Sequence, residues 1–275
     1  MAAGSQIAIG RSADIIELPD EGRVLKLFHS DYSAEEVRRE FTNTSEAFEL
    51  GATTMRCYEF VEQADRFGLI FDRLTGPSLT KLPDTKPLMF FELPVILGRL
   101  HASIHEKKTD RLRSVKDVVL TMIDSEPLAF LSQAQKEAAR RYVKALPEGS
   151  SLLHMDYHPE NIIVTPEGPV VIDWMTALRG DPAADVAYTS LISVEAELWP
   201  GTPRIKVFLY SFIRKYVLNK YRKTYQEITG MSDGAIDAWR LAALMLRMGQ
   251  WNVQSERPRL QKMLLTALSS KMQEG

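Results

Sequence analysis

The chain has 275 residues, of which 45% are hydrophobic and 25% are charged, and its formal net charge is −2. Such a chain can bury a sizeable core and divide into two lobes. Its near-neutral charge argues against a general affinity for nucleic acids. No apolar stretch is long enough to span a membrane, and the N-terminus lacks the features of a secretory signal. Because the single cysteine, Cys57, cannot form an internal disulfide, we expect a cytoplasmic protein.

The N-terminal region combines short β-prone runs with one helical pattern. The turn at residues 10–13 carries Ser12, whose hydroxyl and neighbouring backbone amides are candidate donors to a phosphate. Lys26 lies in a β-prone run on the same face as Val24 and Phe28, so apolar side chains flank a cation. Alone, such a lysine would be interpreted as an ordinary residue of an edge strand.

A helix is predicted directly after this run. Ser33 and Glu36 have the spacing of a capping box, and apolar residues then recur at helical intervals as far as Leu50. In kinases, a strand lysine binds the α- and β-phosphates of the nucleotide and is held by a glutamate of the next helix. We therefore expect Glu40 to pair with Lys26, with Glu36, one turn earlier on the same face, as the alternative.

The rest of the chain is mainly helical in pattern. Strand-like runs precede and follow the loop that starts at His154, and apolar helical patterns occupy the stretches 88–104 (interrupted by Pro94), 133–146, 205–225, 235–253 and 260–272. The sequence therefore predicts an α+β fold in two lobes. A nucleotide-clamping lobe would comprise residues 1–73, and a catalytic and acceptor-binding lobe residues 74–275.

The most specific motif is the run His-Met-Asp-Tyr-His-Pro-Glu-Asn at residues 154–161. His154, Asp156 and Asn161 have the spacing of a kinase catalytic loop, and a later apolar run ends at Asp173. Phosphoryl transfer needs an oriented acceptor hydroxyl and divalent cations that neutralise the phosphates. We expect Asp156 to accept or orient the hydroxyl proton, and Asn161 and Asp173 to bind Mg²⁺ at the phosphates of ATP.

Other interpretations of this motif are weaker. His154 and His158 are four residues apart, as in a helical zinc site, but Pro159 and the flanking strand-like runs argue against a helix. We instead expect His154 to brace the loop. Asp156 alone would suit a turn, although its fit to the whole pattern favours catalysis. The Gly-Lys-Ser/Thr ending of a Walker loop is absent from the sequence.

Three motifs follow one another within residues 152–187: the loop motif, then Ile-Asp-Trp at 172–174, then Gly-Asp-Pro-Ala-Ala-Asp at 180–185. In this combination the chain resembles the aminoglycoside phosphotransferase and choline kinase group. The segments 69–79 and 97–101 look like the hinge between the lobes of that group and the helix that follows it.

The resemblance spans about residues 7–190 and implies a bilobal, protein-kinase-like fold. It also implies ATP and Mg²⁺ as cofactors and, as acceptor, a small-molecule alcohol such as an aminoglycoside, a sugar or an amino alcohol. Asp185 is then expected to support the catalytic loop, and Asp72 and Leu74 of the hinge to contact the nucleotide. The chain departs from the group at Met155, where many members have glycine.

A basic stretch between residues 204 and 226 bears on the charge of the acceptor. It contains no acidic residue and seven basic ones: Arg204, Lys206, Arg214, Lys215, Lys220, Arg222 and Lys223. A polycationic aminoglycoside would favour a pocket lined by carboxylates. The stretch therefore favours a neutral or anionic alcohol, although helical spacing would distribute these charges over several faces.

Two other functions remain as alternatives. A protein serine/threonine kinase is disfavoured because the interval between Asp173 and Asp185 is short and lacks Asp-Phe-Gly and Ala-Pro-Glu motifs. A nucleotide-binding protein without catalysis is disfavoured because Lys26, Asp156, Asn161 and Asp173 are all present.

Overall fold

The computed structural model describes residues 6–10, 12–19, 22–63, 65–195, 204–251 and 253–273. The chain divides into two compact units. The first comprises Met1–Phe90 and Pro159–Ala177, and the second comprises Phe91–His158 and Leu178–Gly275. Residues 159–177 thus group with the N-terminal residues, whereas the functional lobe boundary after residue 73 stays a prediction.

The strands are β1 (Gln6–Ile9), β2 (Ala13–Leu18), β3 (Arg23–Phe28), β4 (Cys57–Gln63), β5 (Arg66–Asp72), β6 (Ser151–Leu153), β7 (Ile162–Thr165), β8 (Gly168–Val171) and β9 (Leu178–Gly180). The helices are α1 (Ala34–Glu49), α2 (Leu82–Thr85), α3 (Met89–His105), α4 (Val115–Met122), α5 (Gln133–Ala145), α6 (Pro182–Glu195), α7 (Arg204–Thr229), α8 (Asp233–Ala238), α9 (Arg240–Trp251) and α10 (Arg257–Gln273).

The first unit contains an antiparallel sheet with the order β1-β2-β3-β5-β4 across the described residues. Lys26 pairs with Ile15 of β2 on one side and with Leu69 of β5 on the other, so it lies in an interior strand. The edge-strand interpretation of Lys26 is therefore wrong. Helix α1 begins with the predicted capping box, in which Ser33 and Glu36 each accept a hydrogen bond from the other's backbone N–H.

The core of the first unit lies between the sheet and α1. Phe28 of β3, Val37 of α1 and Leu69 of β5 are fully buried there. The β7–β8 hairpin contributes Val170 to the same core, which places the hairpin against the sheet of this unit. Burial of these apolar side chains is the main favourable term that holds the elements together.

The second unit is mainly helical. Helix α6 packs against α7 and α9, and β6 pairs with β9 in antiparallel register. Within the described ranges, no helix is both long and apolar enough to cross a membrane.

Two helix predictions for the second unit are wrong in detail. Helix α3 runs without interruption through Pro94, which is buried together with Leu93 and Leu97, so packing compensates for the lost backbone hydrogen bond. The predicted single helix at 235–253 is instead two, α8 and α9. They meet at the buried Trp239, whose backbone N–H donates to the backbone oxygen of Ile236 at 3.0 Å.

Candidate active site

The first unit brings together three charged side chains that are far apart in sequence. Lys26 Nζ of β3 lies 2.7 and 2.9 Å from the two carboxylate oxygens of Glu40 on α1, and 3.1 Å from Asp173 Oδ1. The predicted partner, Glu40, is thus in contact with Lys26. The alternative partner was wrong, because the Glu36 carboxylate accepts hydrogen bonds from the backbone and hydroxyl of Ser33 instead.

The surroundings of this cluster keep the lysine charged. Burial alone would lower the pKa of Lys26, but Asp173 and Glu40 more than offset this effect and raise its pKa above the ordinary value. Burial raises the pKa of Glu40 to about 7, against the opposing effect of Lys26. The Glu40 side chain is 1% exposed and that of Asp173 is 36% exposed. Asp173 is therefore the carboxylate of the pair that a cation from solvent can reach.

Asp173 is held in an uncommon backbone conformation. Its φ and ψ are 65° and 63°, in the left-handed region, and a short helical turn at Trp174–Thr176 follows it. Aspartate is one of the few residues that visit this region, since its short polar side chain can hydrogen-bond locally. The conformation turns the chain sharply after the β7–β8 hairpin and leaves the carboxylate beside Lys26.

Asn43 fastens the segment that follows Asp173. Its side-chain amide donates to the carbonyl oxygens of Trp174, Met175 and Ala177, at 3.0, 3.1 and 3.2 Å, and it is buried on α1. Sequence reasoning missed Asn43. The available signal was its position three residues after Glu40, on the same helix face, where a buried asparagine is unfavourable without a tertiary partner.

Asn161 lies at the open end of the β7–β8 hairpin, where the sequence pattern predicts it, and its role as a metal ligand stays a prediction. It ends a short helical turn at Pro159–Asn161, and its backbone oxygen accepts from the N–H of Ile172, the residue before Asp173. An amide and a carboxylate at the same end of one hairpin supply oxygen donors of the kind that Mg²⁺ prefers. The residues present therefore fit a hard divalent cation.

The remaining predicted nucleotide contacts also lie in the first unit. Ser12 is in the turn between β1 and β2, and its backbone oxygen accepts from the N–H of His29 at 3.0 Å, whereas Arg11 lies outside the described residues. The Asp72 carboxylate accepts from the Arg56 N–H and the Tyr58 hydroxyl, at 2.8 and 2.7 Å. The Asp72 side chain is therefore hydrogen-bonded to Tyr58 of β4 and to the residue that precedes this strand. Leu74 is a half-buried apolar residue at the edge of the core.

The second unit contains the loop with Asp156, which follows β6. Asp156 is partly exposed, its N–H donates to Nδ1 of the buried His154, and its Oδ2 lies 3.6 Å from His158 Nε2. His154 thus contacts the loop as a bracing residue would. Asp185 of α6 is completely buried and accepts from the backbone N–H groups of His154 and Met155 at 2.5 and 3.0 Å.

The backbone of Met155 explains why glycine suits this position. Its φ is 61°, a left-handed conformation that costs a residue with a side chain about 1–2 kcal/mol. The hydrogen bond to Asp185 holds the strained residue in place, and its side chain is fully buried. The departure from the glycine pattern is therefore accommodated by the fold. Two residues that sequence reasoning did not assign to the site, His101 and His105, also contact Asp185.

Comparison with known proteins identifies the family. The sequence profile of the phosphotransferase enzyme family, APH, matches residues 4–214. No curated protein sequence matches the chain. Among solved structures, a thermostable mutant of aminoglycoside phosphotransferase APH(4)-Ia, in a ternary complex with AMP-PNP and hygromycin B, is 14% identical with a TM-score of 0.66. The match covers 98% of this chain and 94% of that one.

Two further structures are similar. Choline kinase LicA from Streptococcus pneumoniae is 16% identical with a TM-score of 0.58, over 97% of this chain and 93% of that one. A putative fructosamine-3-kinase from Haemophilus somnus 129PT is 14% identical with a TM-score of 0.60, over 95% and 90% of the two chains. At these identities the likeness shows the fold, and it confirms the predicted protein-kinase-like α+β class. Because the profile covers most of the sequence, the chain belongs to the phosphotransferase enzyme family.

Proposed function

We propose that the protein is an ATP-dependent kinase that transfers the γ-phosphate to a hydroxyl group of a small molecule. The cluster of Lys26, Glu40 and Asp173 carries the proposal. A buried ammonium held by one buried carboxylate and one accessible carboxylate is the arrangement with which kinases bind phosphates and their metal ion. The buried ion pair of Glu40 with Lys26 would contribute little to stability by itself, because removing both charges from water offsets their attraction. A role in phosphate binding explains why the pair is present.

The nucleotide would be bound by residues of the first unit. Lys26 would donate to the α- and β-phosphates, and Asn161 and Asp173 would hold Mg²⁺, which supplies charge neutralisation for the phosphates when bound. Half-buried apolar side chains at the edge of the core, Val24 and Leu74, would contact the adenine base. The APH(4)-Ia complex, which contains AMP-PNP, supports an ATP-like nucleotide.

Asp156 would act on the acceptor. Its carboxylate would orient the substrate hydroxyl and accept its proton as the bond from the acceptor oxygen to the γ-phosphorus forms and the bond from that phosphorus to the leaving ADP breaks. His154 and Asp185 would keep the loop in position through the contacts described above. Positioning and charge stabilisation, rather than a covalent intermediate, would supply most of the rate acceleration.

For the acceptor we propose a neutral or weakly anionic alcohol. Helix α7 carries the basic stretch, but Arg222 pairs with Asp233 at 2.5 Å and Lys223 lies 3.8 Å from Glu227. These pairs reduce the positive charge of the helix, while Lys215 and Lys220 are exposed to solvent. The remaining charge still disfavours a polyamine.

Polypeptides are expected to be poor acceptors. The chain between Asp173 and α6 is occupied by a short helical turn at Trp174–Thr176 and by β9. Little chain is left in that interval to support an extended peptide. A steady-state comparison of sugars, amino alcohols, kanamycin-like aminoglycosides and peptides tests these preferences. Efficient aminoglycoside turnover, with kcat/KM above about 10⁴ per molar per second, would overturn the charge argument.

The variant Asp156→Asn tests the reaction itself. We expect kcat to fall about 100-fold or more while the ATP Kd changes little, because the phosphate and metal contacts come from other residues. Asp124→Asn is the matched control, since Asp124 is an exposed carboxylate paired with Arg140 on the helical surface. Near-normal turnover by Asp156→Asn would remove Asp156 from the mechanism. In parallel, Asp173→Ala should abolish the tightening of ATP binding by Mg²⁺ in calorimetry.

A further inference from the structure

The second unit contains a buried chain of hydrogen-bonding side chains that ends on the catalytic loop. His101 and His105 of α3 lie one helical turn apart, and their Nε2 atoms are 3.1 and 3.3 Å from Asp185 Oδ2. On the other side of each ring, Nδ1 is 2.6 Å from the hydroxyl of Tyr221 and 2.7 Å from that of Tyr225, respectively. Both tyrosines belong to α7, and all five residues are buried.

The chemistry of the carboxylate fixes the direction of these contacts. An ionised carboxylate only accepts, so each Nε2 that faces it carries the ring proton, and each Nδ1 is then an acceptor for a tyrosine O–H. Burial lowers the pKa of His101 to about 4, so this ring is neutral at physiological pH. Burial opposes ionisation of Asp185, but its contacts with His101 and His105 hold the pKa of Asp185 well below the usual range.

The two branches differ in geometry. His105 makes a hydrogen bond to Asp185, whereas Nε2 of His101, although 3.1 Å from Asp185 Oδ2, does not meet the angular geometry of a hydrogen bond. His101 instead stacks on Tyr157 of the catalytic loop, with 4.0 Å between ring centroids and 16° between planes. Tyr225, His105 and Asp185 therefore form a complete chain of hydrogen bonds. In the chain that starts at Tyr221, His101 supports the loop by stacking on Tyr157.

The two helices approach closely enough to fix these distances. A Cβ atom on Gly98 of α3 would lie 2.8 Å from the Thr224 side chain and 3.0 Å from the backbone oxygen of Tyr221. The absence of a side chain at Gly98 therefore permits α7 to pack directly on the α3 backbone. Thr224 lies between the two tyrosines in sequence, so the hydroxyl groups reach their histidines from a closely packed part of α7.

We propose that Tyr221 and Tyr225 are positioning residues for the catalytic loop. By donating to Nδ1 of His101 and His105, they fix the tautomers in which both rings present N–H groups to Asp185. Asp185 in turn holds the His154 and Met155 amides directly before Asp156. The inference rests on the proposed function, because it assigns Asp156 as the catalytic residue that the network positions.

A metal site is the competing interpretation of this cluster. The ligand atoms of His101, His105 and Asp185 lie within 4.8 Å of one another, and two histidines with a carboxylate are a common zinc set. The hydrogen-bond assignment is favoured because Asp185 already accepts from two backbone N–H groups. A zinc ion would have to compete with the amides that shape the loop.

The test uses Tyr221→Phe, Tyr225→Phe and the double variant, which remove only hydroxyl groups. Tyr142→Phe is the matched control, because its hydroxyl also donates from a partly buried site, to Ala238 O at 2.6 Å. We expect kcat to fall about tenfold in the double variant, a change that corresponds to the net free energy of roughly one hydrogen bond. The KM for ATP should be unchanged. Tyr225→Phe should have the larger single effect, and the control should match the parent.

A second readout does not depend on activity. In ¹⁵N NMR spectra of the parent protein, both buried imidazoles should be Nε2–H tautomers whose Nδ1 atoms accept hydrogen bonds, and the double variant should lose the Nδ1 signature. Nδ1–H tautomers in the parent, or parental kcat in the double variant, would overturn the proposal, as would a rise in melting temperature on addition of zinc. If Asp156→Asn kept full turnover, the proposed function would fail. The tautomer measurement would still show whether the tyrosine hydroxyl groups set the histidine tautomers.

Discussion

Replacing Asn43 with alanine should destabilise the protein through the segment that carries Asp173. The asparagine amide is the buried link between α1 and the carbonyl oxygens of Trp174, Met175 and Ala177. Alanine keeps the helix, because it is the best helix-forming residue, and removes both N–H donors. The perturbation therefore separates the tertiary contacts from the helix itself.

The magnitude follows from the three carbonyls. An amide with two N–H donors gives up about 1 kcal/mol of net stability for each hydrogen bond lost, and each buried acceptor left unpaired costs about 1–3 kcal/mol more. The Trp174 oxygen also accepts from the Ala177 N–H at 2.9 Å, so it keeps a partner. The Met175 oxygen is only part-buried, so the Ala177 oxygen is the buried acceptor that loses its partner. Two lost hydrogen bonds and this acceptor give an expected loss of about 3–5 kcal/mol, or roughly 6–10 °C in melting temperature at about 2 °C per kcal/mol for a chain of this length.

Thermal unfolding and calorimetry of ATP binding with and without Mg²⁺ measure the effect. Because Asp173 would leave its left-handed conformation more readily, the tightening of ATP binding by Mg²⁺ should weaken by about tenfold. Thr44→Val is the control on the adjacent helix position. The Thr44 hydroxyl is buried and has no hydrogen-bond partner among the described residues, so this variant should be as stable as the parent or more stable.

A melting temperature within about 2 °C of the parent for Asn43→Ala, equivalent to less than roughly 1 kcal/mol, would refute the reasoning. It would mean that the three carbonyl groups find other partners when the amide is removed. A loss of stability with unchanged Mg²⁺ dependence would refute only the second step, from the backbone of Asp173 to the metal ion.

Three further perturbations follow from the geometry. The pKa of Glu40 is raised to about 7, so its contribution to stability is present below pH 4.5 and is lost as the pH rises towards 7. The melting temperature of Glu40→Gln, measured relative to that of the parent, should therefore rise between pH 4.5 and 7. A fall over the same range would contradict the reasoning. Met155→Gly should relieve about 1–2 kcal/mol of backbone strain but lose about 2–5 kcal/mol of buried side chain, so denaturant titration should show a net loss of stability rather than a gain. Gly76→Ala would place a Cβ 2.1 Å from the Val164 oxygen, and a melt should show destabilisation of about 3 kcal/mol or more; a parental melting temperature would show that the segment moves freely.

Local patterns were sufficient for the parts of the site that depend on nearby residues. The strand face of Lys26 and the capping box that sets the register of α1 together selected Glu40 correctly. The β7–β8 hairpin placed Asn161 and Asp173 at one end, because each follows or precedes a short apolar run. In these cases a period of two or of 3.6 residues determines which side chains face one another.

The rest depends on contacts between residues distant in sequence. The amide of Asn43 meets carbonyl groups about 130 residues later in the chain, and Tyr221 and Tyr225 of α7 each meet a histidine 120 residues earlier. A single buried asparagine or histidine has no local pattern that names its partner. The break between α8 and α9 was missed for a related reason, since both helices continue one apolar pattern and burial of Trp239 decides where they separate.

The position of Lys26 between two carboxylates makes it an internal counter-ion for Asp173, the residue proposed to bind the metal ion. A free Mg²⁺ ion approaching Asp173 would have to displace an ammonium that is already in place, and so gains little from the exchange. Magnesium that arrives on a nucleotide brings phosphate oxygens to which the displaced ammonium can turn. The cluster would therefore discriminate between the bare ion and the metal–nucleotide complex, which makes the two binding events one exchange of partners.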